Sequence, residues 1–233
     1  MEPLESPGVK LSVIVPVYNE TATVALLLQR VLAAPYEKEV IVVDDGSTDG
    51  TWEALQALSR AQVRLLRHPQ NRGKGAALRT GLAQAAGQVV LFQDADLEYD
   101  PQDYPLLVEP ILRGDATVVY GYRQWLRRGW SYPIRYYANR FLTALTNLLY
   151  GARLKDMEVC YKAFRTDLVK GLRLEADRFD IEPEVTARVL KAGYPILQVP
   201  IHYTPRGHRE GKKIGWRDGL AAVITLVRCR FSR

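Results

Sequence analysis

Short apolar runs alternate with helix-patterned stretches along this chain, and that alternation limits what it can fold into more than any other feature. Residues 11–17, 39–44, 63–66 and 88–93 are apolar runs rich in Val, Ile and Leu. Between them, 21–32, 49–58 and 75–86 carry helical patterning, and Asp49 is positioned to cap the second of these. Strands apolar on both faces and separated by helices predict a parallel sheet that is covered on both sides. Further along, the pattern predicts helices over 102–113, within 133–150, over 182–191 and from Trp216, with strands at 116–120 and 196–202. No repeat, low-complexity tract or linker divides the chain. With 233 residues and 47% hydrophobic content, it can bury a sizeable core. The expected fold class is therefore α/β, an open, mostly parallel central sheet with helices on both faces.

In such sheets ligands bind outside the carboxyl ends of the strands. Three polar clusters fall there: Pro16-Val17-Tyr18-Asn19-Glu20 after the first strand, Asp44-Asp45-Gly46-Ser47-Thr48-Asp49 after the second, and Asp94-Ala95-Asp96 after the fourth. Two carboxylates one residue apart at the end of a buried strand repel each other unless a cation lies between them. Mg²⁺ and similar hard ions are commonly held by one or two carboxylates together with substrate phosphates. The chemistry fits a nucleotide. Tyr18 offers a ring to a base, Asp45 can accept hydrogen bonds from a base N–H, and Glu20 can accept them from ribose hydroxyls. Asp44 and Asp49 suit turn formation and helix capping instead. Asn71-Arg72-Gly73-Lys74-Gly75 precedes the third helix, where glycines permit close backbone approach and amides lie at the positive helix end. It is not a Walker loop, and no Gly-x-Gly-x-x-Gly pattern follows the first strand.

Taken together, Val15-Pro16-Val17-Tyr18-Asn19-Glu20, Val43-Asp44-Asp45-Gly46-Ser47-Thr48-Asp49, Asn71-Arg72-Gly73-Lys74-Gly75 and Asp94-Ala95-Asp96-Leu97 resemble the signature set of family 2 inverting glycosyltransferases with the GT-A fold. Asp156 to Arg165 and Pro205 to Ile214 extend the likeness to roughly residues 10–220, most similar to the dolichyl- or polyprenyl-phosphate sugar transferases. The resemblance implies a Rossmann-like nucleotide-binding half. Pro16, Tyr18 and Glu20 would line the nucleoside pocket, and Asp45 would read the base. Gly73 and Lys74 would lie beside the donor, as would Asp94 and Ala95, with Asp94 facing the ribose or sugar. Asp96 would hold Mg²⁺ or Mn²⁺ on the diphosphate. Glu98 stands where such relatives carry a metal-binding Gln, and it is expected to join Asp94 and Asp96 as a ligand. Arg123, after the fifth strand, would neutralise diphosphate or acceptor phosphate. Arg206 and Lys213, from a mobile basic loop, would steady charge on the leaving group. Asp156 is the first candidate base and Glu158 the second if the acceptor is a hydroxyl; bracing a loop is an equal alternative for Asp156.

The expected organisation is one domain over 9–233: a nucleotide-sugar half at about 9–97, an acceptor half at about 98–205, and the basic loop with a C-terminal helix at 206–233. Residues 1–8 are expected to form a flexible tail. The expected reaction moves a hexose from GDP-mannose or UDP-glucose to a polyprenyl or dolichyl phosphate. A soluble or cell-envelope glycan hydroxyl remains an alternative acceptor, and a non-catalytic nucleotide-sugar module a remote one. A net charge of +6 favours anionic partners, but no nucleic-acid motif is present. Cys160 and Cys229 form no metal or disulfide pattern, which points to a reducing compartment. His68, His202 and His208 are scattered and are expected to be structural or exposed. No window reaches the roughly 20 apolar residues that span a bilayer. Ile134, Tyr137, Phe141, Leu145 and Leu148 share one helical face, with Trp125, Arg127, Arg128, Trp130, Arg135 and Arg140 around it. That composition suits a helix lying on a membrane. The expected location is cytoplasmic, with peripheral contact on the cytoplasmic face and reversible association.

Overall fold

The structure is a computed structural model that describes residues 10–58, 60–124, 132–205 and 216–232. Its strands are β1 (Leu11–Val17), β2 (Lys38–Asp44), β3 (Val63–Arg67), β4 (Val89–Phe92), β5 (Val118–Arg123), β6 (Lys162–Arg165) and β7 (Leu197–Ile201). They form one sheet in the order β3-β2-β1-β4-β6-β5-β7. Only β6 runs against its neighbours, β4 and β5. The helices are α1 (Val24–Ala33), α2 (Thr51–Ala57), α3 (Lys74–Gln84), α4 (Tyr104–Leu112), α5 (Tyr132–Tyr150), α6 (Thr166–Gly171), α7 (Ile181–Lys191) and α8 (Trp216–Phe231). Every strand and helix expected from the sequence is present. β6 and α6 are additions. β6 is four residues long and begins and ends on a basic residue, so it carries no apolar alternation to be read.

The central strands are buried as their uninterrupted Val and Ile content requires: Val13, Ile14, Val15, Val40, Ile41, Val42 and Val43 are all inaccessible to solvent. Pro16 lies within β1 and lacks an N–H. The Ile14 carbonyl accepts from Gln93 on the β4 side and the Val17 carbonyl from Asp45 on the β2 side. Alternation along the strand therefore turns residue 16 towards β4, whose pairing with β1 stops at Ile14, so no ladder bond is lost. A second cluster, built on Leu142, Met157, Ala187 and Leu226, joins α5, α7 and α8.

The antiparallel β6 decides where the second half of the site lies. Its partner register, Leu91 with Ala163 and Val89 with Arg165, places its first residues beside the carboxyl end of β4. The segment leading into β6 therefore arrives at the same rim as the loops that follow β1, β2 and β4.

Candidate active site

The loops after β1 and β2 hold each other. Asn19 adopts a left-handed backbone (φ 52°), a conformation Asn tolerates better than most side chains. Its N–H donates to Ser47 Oγ at 2.9 Å, and its Oδ1 accepts from the Thr48 N–H at 2.9 Å. The Glu20 N–H donates to Thr51 Oγ1 at 2.9 Å. The cap position of α2 is Gly50, and Asp49 instead forms the turn that leads into it: its Oδ1 accepts from the Thr51 N–H at 3.1 Å. Partial burial opposes its ionisation, but hydrogen bonds from Thr51 and Thr21 outweigh that and hold its carboxyl at about 2. Thr23 Oγ1 contacts Glu20 Oε2 and the Ala95 carbonyl, each at 2.9 Å, so the first loop also touches the Asp94-Ala95-Asp96 turn. Pro16, Tyr18 and Glu20 are half-buried on this rim, and Ala95 is buried beneath it.

Asp45 does not present a free carboxylate to a base. Its Oδ1 accepts from His68 Nδ1 at 2.6 Å and from the Arg72 N–H at 2.9 Å, and its Oδ2 accepts from the Gly73 N–H at 2.7 Å. His68 Nε2 in turn meets Thr80 Oγ1 at 2.9 Å. Asp45 therefore joins the β2 loop to the entrance of α3, and His68 is structural as expected.

Gly73 and Gly75, at the start of α3, provide the close backbone approach expected of them, against residues 176–177. A Cβ on Gly73 would lie 2.3 Å from the Asp177 carbonyl oxygen, and one on Gly75 would lie 2.3 Å from that of Ala176. The Ala76 N–H donates to Asp177 O at 3.0 Å. Three amides of this turn, those of Arg72, Gly73 and Ala76, are thus already engaged within the protein. Glu184, buried on α7, fixes the opposing 175–176 backbone by accepting from the Glu175 and Ala176 N–H groups.

Lys74 points inward, towards Asp94 and Glu182. Its Nζ lies 2.7 Å from Asp94 Oδ1 and 2.9 Å from Glu182 Oε1, and Glu182 also pairs with the fully buried Lys162. Burial pulls the Lys74 pKa down, but Asp94, Cys160 and Glu182 outweigh it, so the ammonium is held charged. The Cys160 thiol is pushed up by burial and by Asp94, to which it donates a hydrogen bond, which favours the thiol over the thiolate.

On the β5 side, Arg123 and Asp156 form a two-pronged pair, Nε to Oδ2 at 2.7 Å and Nη2 to Oδ1 at 2.8 Å. The Arg123 N–H and Asn139 Nδ2 also donate to Asp156, at 3.2 and 2.9 Å. Burial would raise the Asp156 pKa, yet Arg123 outweighs it and keeps the carboxyl below its ordinary value. Asp156 is therefore a brace, the alternative the sequence left open, and not a poised base. Arg123 is correspondingly neutralised by Asp156 rather than offered to a phosphate, with its guanidinium 5.1 Å from the Tyr203 ring centre.

Among the described residues, no three His, Cys, Asp or Glu side chains converge as a metal-binding group, so Asp94, Asp96 and Glu98 do not form the expected trio. Asp94 is engaged by Lys74. Glu98 is drawn to the strand-end segment beyond β7: its Oε2 accepts from Tyr203 Oη and its carbonyl from the Thr204 N–H, both at 2.9 Å. Asp96 is half-buried at the rim, with Oδ1 accepting from the Glu98 N–H at 3.2 Å. One carboxylate beside a diphosphate still suits a hard divalent ion, which draws much of its coordination from phosphate and water. Arg206, Lys213 and His208, like Trp125, Arg127, Arg128 and Trp130, lie outside the described residues, as do the side chains of Ile134 and Arg135.

Glu182 and Lys162 were missed in the sequence. Glu182 had a signal: it sits in the first turn of α7 next to Ile181 and close to Val185, on a face that is buried. A carboxylate there needs a buried cation.

Comparison with known proteins agrees with this architecture. Residues 12–173 match the family described as Glycosyl transferase family 2. A GT-A crystal structure, glucosyl-3-phosphoglycerate synthase from Mycobacterium tuberculosis in complex with Mn²⁺, UDP and phosphoglyceric acid, superposes with a TM-score of 0.73 at 22% identity, over 96% of this chain and 78% of that one. The chain belongs to glycosyl transferase family 2, and its fold is GT-A. Its relatives include the dodecaprenyl-phosphate galacturonate synthase of Rhizobium johnstonii, 30% identical over 99% of this chain and 68% of that protein. The dolichol-phosphate mannosyltransferase of Pyrococcus furiosus is 31% identical over 88% of this chain and 60% of its own length. The undecaprenyl-phosphate mannosyltransferase of Micrococcus luteus is 29% identical over 90% of each. The chain thus spans about two thirds of the first relative, three fifths of the second and nine tenths of the third.

Proposed function

We propose that this protein transfers a hexose from a nucleoside-diphosphate sugar to a polyprenyl phosphate at a membrane surface, with inversion at the anomeric carbon. The observation that carries this reading is the rim itself. Asp96 stands at the end of β4 beside two loops pinned to one another, in a family 2 chain whose relatives are named for polyprenyl- and dolichol-phosphate substrates. Tyr18 and Glu20 would bind the nucleoside, held by the Asn19–Ser47 and Glu20–Thr51 hydrogen bonds. Asp96 would hold Mg²⁺ or Mn²⁺ against the diphosphate. A bound divalent cation would supply charge neutralisation where negative charge grows on the departing diphosphate. Lys74, behind Asp94, offsets the carboxylate charge that would otherwise repel that diphosphate. An acceptor phosphate oxygen forms the new bond to the anomeric carbon as the bond to the β-phosphate oxygen breaks, the electron pair leaving with the diphosphate. The acceptor is already anionic, so no base is required, in keeping with an Asp156 fully engaged by Arg123.

A lipid acceptor also gives a use to an unusual surface. Tyr137, Phe141 and Leu148 on α5 are exposed, as are Leu220, Ile224, Val227 and Phe231 on α8, and the two helices pack together. The α8 residues recur at helical spacing, with Arg217, Arg228 and Arg230 on the same helix. This apolar, Arg-flanked strip suits an interface with anionic lipid. No helix among the described residues is long and apolar enough to cross a membrane.

The test is a melting-temperature series with UDP and GDP, with and without Mn²⁺, followed by transfer assays on a polyprenyl phosphate. A metal-dependent rise with one nucleotide is expected. Asp96→Ala should remove that rise and lower transfer by roughly 10⁴-fold while the apo protein melts normally. Absence of any nucleotide effect would overturn the reading, and transfer only to a water-soluble acceptor would overturn its lipid part. Ile224→Glu with Phe141→Glu should weaken binding to anionic vesicles and leave nucleotide binding unchanged.

A further inference from the structure

Four carboxylates and three cations line the wall of the site where β4, β5, β6 and α7 meet. Asp94 is paired with Lys74, Glu182 with Lys74 and Lys162, and Asp156 with Arg123. Glu158 is the acid left over. It accepts no hydrogen bond from any described residue, and its Oε1 is buried without a partner. Its position is not incidental. Glu158 lies in the irregular segment that enters β6 at the rim, whose Asp156, Cys160 and Lys162 all reach into this charged cluster. The charged groups around Glu158 are Lys162 of β6, Glu182 of α7, Arg123 of β5 and Asp156 of its own segment. Burial and the acids outweigh the cations and push its carboxyl up to about 7. A buried polar atom without a partner costs roughly 1–3 kcal/mol, and in a native fold it calls for an explanation such as a ligand.

We propose that Glu158 is a sugar-reading residue, its carboxyl group hydrogen-bonding a hydroxyl of the transferred hexose. This rests on the glycosyltransferase reading above. A carboxyl group that retains its proton both donates and accepts, as a sugar hydroxyl does. The remaining three acids and three cations already balance, so a neutral group at this position leaves the site's charge unaltered. Asp156, two residues earlier, has its lone pairs taken and cannot substitute.

The experiment compares wild type, Glu158→Gln and Glu158→Ala by calorimetric titration with UDP, GDP, UDP-glucose and GDP-mannose in Mn²⁺, and by kcat/KM for the preferred donor. Nucleoside-diphosphate affinity is expected to stay within about twofold. Glu158→Ala should lower kcat/KM by about 100-fold or more, and Glu158→Gln, which still donates and accepts, should recover at least about tenfold of that loss. Equal losses in both variants would overturn the proposal in favour of a proton-accepting role. A parallel loss of UDP or GDP affinity would overturn it in favour of a structural one, and kcat/KM unchanged in both variants would overturn it outright. Failure of the wild type to bind any of these nucleotides would instead remove the glycosyltransferase reading, and the proposal with it.

Discussion

Two stretches of the rim each carry closely spaced carboxylates, and they are built in opposite ways. In 44–49, Asp44 accepts from the Ser47 N–H at 3.2 Å and lies 3.1 Å from Arg67, while Asp45 and Asp49 take hydrogen bonds from their own or neighbouring loops. In 154–161, Asp156 is saturated, but Oε1 of Glu158, two residues on, has no hydrogen-bond partner among the described residues. The first stretch is a rigid cradle whose carboxylates hold protein. The second draws partners from β5 and α5 and leaves one group over. A saturated acid stabilises the fold when ionised, whereas a half-buried acid with one oxygen buried and unbonded opposes it, and the two should respond to mutation and pH with opposite sign.

The largest expected effect comes from removing the saturated acid of the second stretch. Asp156→Asn leaves the Arg123 guanidinium buried without its counter-charge, and a cost of about 3–5 kcal/mol is expected in urea unfolding. Because Arg123 keeps the Asp156 carboxyl below its ordinary value of 3.8, its contribution is complete above that pH and is lost as pH falls through the lower folded value. The acid limb of the wild-type stability curve should therefore flatten in Asp156→Asn. An unchanged limb would show that Asp156 is not the brace described.

Glu158 should behave the other way. Its folded value is raised from 4.5 to about 7, so the folded protein keeps a proton that the unfolded chain releases, and wild-type stability declines as pH rises between these values. Glu158→Gln abolishes that decline, and relative to wild type it should gain up to about 3 kcal/mol from pH 4.5 to pH 8. Parallel curves for the two proteins would erase the contrast between the stretches.

The smallest of the three effects belongs to the cradle. Asp45→Ala leaves the Arg72 and Gly73 amides without their acceptor, and a loss of about 2 kcal/mol is expected. If Asp45 instead reads the base, the variant would keep its stability and lose nucleotide affinity.

Much of the fold was legible because its signals are local. Apolar runs at 11–17, 39–44 and 88–93 could only be buried strands, and Asp49 before Thr51 announced a helix start. β6 was hidden because four residues carrying Lys162 and Arg165 show no apolar period, and its reversed direction depends on a crossover rather than on its own composition. The site divides similarly. The rim position of Asp94 and Asp96 followed from a strand ending at Phe92. What Asp45, Lys74, Arg123 and Asp156 do there did not follow, since each is decided by partners far along the chain.

By itself, then, the sequence determined the layers, the order of the first four strands along the chain and the acidic rim, because hydrophobic periodicity and turn chemistry act over a few residues. Only the tertiary structure decided how the charges of the buried wall are matched. Lys74 meets Glu182 and Arg123 meets Asp156 across separations that no local pattern records, and electrostatic matching in a buried wall depends on distance in space, not along the chain.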